Sequence, residues 1–168
     1  MARNLEKNPY KIGGQGIVVE LDESKFGKRK GGRGKKVKGA WVFGGVERTK
    51  TRRMFAVVVP NRTEETLLAL IQKYVAPGSI VYTDGWKSYH NINSKLGLEH
   101  RVINHSKAFV IPKTRIHTNS IEGTWSAMKS EIPSRCFSQP IIENYVAEFV
   151  WRRLHNENLW LDFLQCLK

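Results

Sequence analysis

Asp22, Asp84 and Glu122 are the residues with which this chain could do chemistry, and each sits in a distinctive short context: VELDES at 19–24, YTDGWKSY at 82–89 and HTNSIEGTWSAMK at 117–129. Asp22 and Asp84 each follow a short apolar run, and Glu122 stands at an expected helix start. Gathered and buried, three carboxylates repel one another and hold their protons more tightly. Divalent cations remove that conflict. Oxygen ligands suit Mg²⁺, which takes a few carboxylates and keeps its remaining positions for water and phosphate oxygens. Two such ions about 4 Å apart activate an attacking oxygen and stabilise a leaving one in phosphodiester displacement. The expected cofactor is Mg²⁺, with Mn²⁺ able to substitute.

Glu122 also has a plainer use. Asn119-x-x-Glu122 has the form of a capping box, in which Asn119 caps the helix and Glu122 reaches back to a backbone N–H. The two uses are compatible if Asn119 caps while Glu122 points to metal. Lys129 lies two turns beyond Glu122 on nearly the same face, about 10 Å along the axis. It suits a phosphate contact, the alternative being an ordinary exposed lysine. Ile121, Trp125 and Met128 fall on an adjoining face and are expected in the core.

For these groups to meet, particular elements must bring them together. Ile17–Asp22 reads as a strand with Val18, Glu20 and Asp22 on one face and Val19 and Leu21 on the other. Ala40–Glu47 and Met54–Val59 read as two more. Thr63 caps a helix whose first turn carries Glu64 and Glu65 and whose apolar side is Leu67, Leu68, Leu70, Ile71 and Tyr74; Pro77-Gly78 ends it. Ser79–Thr83 is a short strand leading into Asp84-Gly85, and His100–Asn104 a further one. The last third is helical, with Ile142, Tyr145, Val146 and Phe149 marking one face of a helix to about Leu154, and Trp160, Phe163, Leu164 and Leu167 a final stretch. Three meandering strands followed by a helical crossover set the first and fourth strands side by side. Asp22 and Asp84 then come close at one sheet edge, with Glu122 leaning over both.

Charge names the partner class. The chain has 168 residues, a formal net charge of +13 and a pI of about 10.0, which favours polyanions and above all nucleic acid. Lys25, Lys28, Arg29, Lys30, Arg33, Lys35, Lys36 and Lys38 crowd one Gly-rich segment, 25–39, that is free of acidic residues; it is expected to form a loop moulding to a phosphate backbone. Such tracts also serve in nuclear import or as solvated loops. No apolar run is long enough to span a bilayer, so no membrane partner is expected, and the opening MARNLEKNPYKIGGQG lacks the apolar core of a secretory signal. Cys136 and Cys166 suggest a reducing compartment and ordinary packing.

These motifs, with FGKRKGGRGKKVKGAWVFGGVER at 26–48 and YVAEFVWRR at 145–153, are similar to the transposases of the IS1595/ISXO2 group, and most of all to its eukaryotic branch, the Merlin elements. The similarity runs from about Ile12 to Arg153. It implies a DDE transposase with an α/β, RNase H-like fold: a mixed central sheet of three antiparallel strands plus parallel strands, flanked by helices, with a helical C-terminus. It implies Asp22, Asp84 and Glu122 as the catalytic and metal-binding set, with Asn119 an alternative third ligand ranked below Glu122. It further implies DNA as partner, both element ends and target, a dimer or larger assembly, and a nuclear location in a eukaryotic host or a cytoplasmic one otherwise. Full-length relatives carry an N-terminal DNA-binding region, whereas about 16 residues precede the first strand here. The expected organisation is a short arm, 1–16, and one catalytic domain, 17–168: an excised domain, a decayed copy or a host protein of transposase descent.

His117 and Trp86 are secondary candidates for DNA contact, Trp86 through stacking on an unpaired base; Tyr89 shares that choice between stacking and core. Glu20 and Glu23 flank Asp22 without fitting the motif, and His90, His100 and His105 lack zinc spacing. Trp41, Trp151 and Trp160 read as packing. Two other function classes compete: a DNA-binding protein that has lost catalysis, and an RNase H-like nuclease acting on RNA–DNA hybrids or junctions.

Overall fold

The computed structural model describes residues 10–27, 39–103, 119–133, 136–137 and 141–155. Strands β1 (Val18–Lys25), β2 (Trp41–Glu47), β3 (Met54–Val59), β4 (Ile80–Thr83) and β5 (Glu99–Val102) form one sheet in the order β3-β2-β1-β4-β5. The first three are antiparallel neighbours; β4 lies parallel to β1, and β5 parallel to β4. The expected mixed sheet is therefore present, with the first and fourth strands adjacent.

Side-chain alternation divides the sheet into two faces, each with its own core. On one, Val19, Leu21, Phe43, Phe55 and Val59 pack with Leu67, Leu68, Ile71 and Tyr74 of helix α1 (Glu64–Tyr74) and with Ile92 of the short helix α2 (Ile92–Leu96). On the other, Val42, Val46, Met54 and Ala56 meet Ile121, Trp125 and Met128 of α3 (Asn119–Glu131), and Ile142, Val146, Phe149 and Val150 of α4 (Ile141–Leu154). Ile121, Trp125 and Met128 are core, as their spacing predicts. Helix α1 starts as its sequence predicts: the Thr63 hydroxyl accepts from the Thr66 N–H, and Glu64 and Glu65 fill the first turn.

One strand end differs from expectation. Ile17–Asp22 was to finish at Asp22, yet β1 continues to Lys25, because β2 pairs with it through Lys25↔Trp41. Against β4, however, pairing is recorded only to Glu20↔Tyr82, so Asp22 still stands just past that neighbour. The predicted final helical stretch from Trp160 lies outside the described residues. Among the described residues no helix is long and apolar enough to cross a membrane.

Candidate active site

The register of β1 on β4 positions the two aspartates. Val18 pairs with Ile80, Val19 with Val81 and Glu20 with Tyr82, so the same register carried two residues on sets Asp22 level with Asp84. Both are half-buried. The α3 face of β1 then reads Glu20, Asp22, Ser24, a polar row where the neighbouring strands are apolar. Buried polar residues are the informative exceptions in a core, and each of these three has a partner on α3.

Glu20 is fully buried and Oε2 accepts the Ser120 and Ile121 N–H groups at 2.9 and 3.0 Å. The first turn of α3 is therefore served from β1; Asn119, the first helical residue, is exposed. A carboxylate is well matched to the positive end of a helix, and Arg48 supplies the opposite charge on Glu20 Oε1. Two residues on, Asp22 Oδ2 accepts from Trp125 Nε1 at 3.0 Å. Two further, Ser24 Oγ receives Lys129 Nζ at 2.6 Å, and that ammonium also lies 5.2 Å from the Phe26 ring centre. Helix α3 is thus tied to β1 at three successive levels.

Gly44 makes the middle tie possible. It pairs with Asp22 across β1–β2, and a Cβ there would sit 2.8 Å from Trp125 Cη2 and 2.7 Å from the Phe55 carbonyl oxygen. Glycine inside a strand often marks such a close approach. The glycine pair in FGG, 43–45, was the available sequence signal for this contact; Trp125 itself reads only as core.

Burial pushes the Asp22 carboxyl up to about 6, and the negative charges of Asp84 and Glu122 push the same way, against the hydrogen bonds from Trp125 and the Glu23 backbone. Glu23 is also raised, first by burial and then by Asp22 and Asp84, despite the Tyr89 hydroxyl donating to its Oε2 at 2.5 Å. Its Oε1 is buried with no hydrogen-bond partner among the described residues. Tyr89 is fully buried and its phenol is held well above its ordinary range by burial and by Glu23. Burial is the main cause at both the Asp22 and Glu23 carboxyls; neighbouring acidic charge adds to it, and Arg62 opposes it at Glu23. On the β4 side, Asp84 Oδ1 accepts the Trp86 N–H at 2.9 Å, and the Thr83 hydroxyl lies 2.8 Å from His100 Nε2. Burial lowers the His100 pKa, favouring the neutral ring.

This oxygen-only donor chemistry fits a divalent cation. The spatial arrangement is looser: among the described residues no three His, Cys, Asp or Glu side chains gather closely enough to hold an ion. Glu122 is exposed on α3, within reach of Asp22 electrostatically. Trp86 is exposed beside Asp84, whereas Tyr89 points inward. Lys28, Arg29, Lys30, Arg33, Lys35, Lys36, Lys38 and His117 lie outside the described residues.

A five-stranded mixed sheet in the order β3-β2-β1-β4-β5, with helices on both faces, is the RNase H-like fold. The catalytic core domain of BIV integrase superposes with a TM-score of 0.53 at 16% identity, over 80% of this chain and 81% of that one. The model of the ISXO2-like transposase domain matches residues 12–153, and the chain belongs to that family. It is also 33% identical over 106 residues to an uncharacterized transposase-like protein of Haemophilus influenzae, across 62% of this chain and 84% of that protein. Membership of this transposase family implies DNA binding, and the DDE transposase/integrase group generally uses a divalent metal.

Proposed function

We propose that this chain is the catalytic domain of a Mg²⁺-dependent DDE transposase, which hydrolyses a DNA phosphodiester at an element end and joins the released 3′-OH to target DNA. The observation that carries this reading is the β1–β4 register, Glu20↔Tyr82, which carried two residues on brings Asp22 level with Asp84 just past β4, with Glu122 of α3 acting on Asp22. Asp22, Asp84 and Glu122 would hold the metal, with Asn119 the lesser candidate for the third position. Divalent ions bound there supply an activated attacking oxygen and a stabilised leaving oxygen. The chain's own residues set the stage. Trp125 orients the Asp22 carboxylate, the Trp86 N–H orients that of Asp84, and Lys129 offers a charge to the DNA backbone from the same face. The basic segment 28–38 and His117 contribute further DNA contacts. No serine, cysteine or tyrosine acts as a nucleophile, and no covalent enzyme intermediate forms. The Merlin-like motifs favour a eukaryotic nucleus as the place of action, and a dimer or larger assembly on paired ends as the working form.

A second reading, a DNA-binding descendant without catalysis, is favoured by one observation: the acidic groups do not close on a common point. Nicking of supercoiled plasmid with Mg²⁺ or Mn²⁺ separates the two. The native chain is expected to nick, and Asp84→Asn and Glu122→Gln to abolish nicking while retaining DNA binding. Binding without nicking by the native chain supports the second reading. Nicking that survives both substitutions removes the triad from consideration.

A further inference from the structure

Beside the carboxylates lies an aromatic and cationic assembly centred on Arg62, which the reading above leaves without a task. Its guanidinium carbon is 3.7 Å from the centre of the Trp41 ring and 4.8 Å from that of Trp86. Trp41, partly buried against the core, forms the fixed wall. Trp86 is 37% exposed, one of three exposed large apolar side chains among the described residues. A large aromatic ring left in water beside a polar groove suits a binding role. Because the Trp86 N–H holds Asp84 Oδ1, ring and carboxylate are fixed by one tight turn.

Arg62 and Trp86 line a groove of about 730 Å³ together with Thr63, Lys87, His90 and Asn91, while Trp41 supports the Arg62 guanidinium from outside that lining. Its charge is selective. Glu64, the acid at its rim, is engaged by Lys95 at 2.6 Å and by Asn91. Arg62 and Lys87 make no ion pair among the described residues. The groove therefore combines a stacking surface with two cations, of which Arg62 also acts on the Glu23 carboxyl, and the Trp86 N–H joins it to Asp84.

We propose that the Trp86–Arg62 groove holds one unpaired deoxynucleotide of the substrate strand beside the scissile phosphodiester, with its base on the Trp86 ring and its phosphate on Arg62 and Lys87. Placing the cut at Asp84 rests on the transposase reading; the groove's preference for unpaired DNA does not. A paired base keeps both faces in the duplex stack and must leave it to lie on a protein ring. Stacking uses the π-face that every base has, so the groove selects for strandedness over sequence.

The test compares two labelled DNAs in EDTA, where metal-dependent cleavage is blocked: a blunt duplex, and the same duplex with a short single-stranded overhang carrying 2-aminopurine. The full chain is expected to bind the overhang about tenfold tighter and to quench the 2-aminopurine fluorescence, the size expected for one stacked base. Trp86→Ala should lose the quench and most of the overhang preference, with a far smaller effect on the blunt duplex. Trp86→Phe should keep much of both, and Arg62→Ala should weaken overhang binding. Equal native affinity for the two DNAs overturns the inference, as does a Trp86→Ala loss that is equal on both. Overhang preference persisting in a chain that never nicks would leave the groove standing and the catalytic reading fallen. Failure to bind either DNA overturns the inference together with the DNA reading.

Discussion

The Asp22 carboxyl, raised from 3.8 to about 6 chiefly by burial, links the protein's stability to pH. The folded state binds this proton more tightly than the unfolded chain does. Its contribution is fully present below the unfolded pKa and is lost as pH rises through about 6. A shift of about two units corresponds to roughly 3 kcal/mol for a group this buried. In EDTA, thermal melts are therefore expected to show stability falling between about pH 4 and 6, and Asp22→Asn should flatten the fall, since an amide can still accept from Trp125. A divalent cation should restore stability at pH 7 in the native chain and much less in the variant. Parallel pH profiles for the two proteins would show that burial of Asp22 is not what limits stability. Glu23, raised in the same direction, would then be the next group to test.

At the level of elements, β1 and α3 are joined through the Glu20, Asp22 and Ser24 row, and the fit depends on Gly44 beneath Trp125. Gly44→Ala places a methyl group under 3.0 Å from both the indole and the Phe55 carbonyl, so backbone or ring must shift. Overpacking of this kind costs about 1–3 kcal/mol, and chemical denaturation should report a loss in that range. A change within about 0.5 kcal/mol would mean that the ring moves aside easily and that Asp22 is not held by it. Much of this architecture was legible in the sequence. Alternation marks β1, apolar and β-branched content marks β2 and β3, and Thr63 with its acidic first turn marks α1, because these signals are local. The capping of α3 was not legible: Asn119 and Glu122 have the local form of a capping box, while the N–H groups are received by Glu20, about a hundred residues earlier. The Arg62–Trp41 stack was not legible for the same reason: Trp41 reads only as packing, and Arg62 comes to it from a separate part of the chain.

Across the whole molecule, twenty-eight Lys and Arg against fifteen Asp and Glu give a surface that is attracted to a phosphate backbone but cannot by itself choose a sequence. The acidic residues within it are used locally: Glu20 and Glu47 pair with Arg48 and Arg53, Asp84 adds to the raised proton affinity of Asp22 and Glu23, and Asp22 to that of Glu23. A small acidic cluster in a chain of strong net positive charge is what the proposed reading uses to draw in DNA and to meet it with a metal. Non-specific binding should accordingly weaken steeply with salt, because each neutralised phosphate releases counterions and contributes a slope of about −0.9 in log K against log salt. The cations Lys28, Arg29, Lys30, Arg33, Lys35, Lys36 and Lys38 are adjacent enough in sequence to act as one unit. Replacing all of them with serine should make that slope shallower by several units on duplex DNA, measured by anisotropy between about 50 and 200 mM salt. The overhang preference assigned to Trp86 and Arg62 should survive the replacement, since stacking depends little on salt. A slope unchanged by the replacement would place the phosphate contacts elsewhere on the molecule, with Lys129 and the α4 arginines, Arg152 and Arg153, the next cations to neutralise.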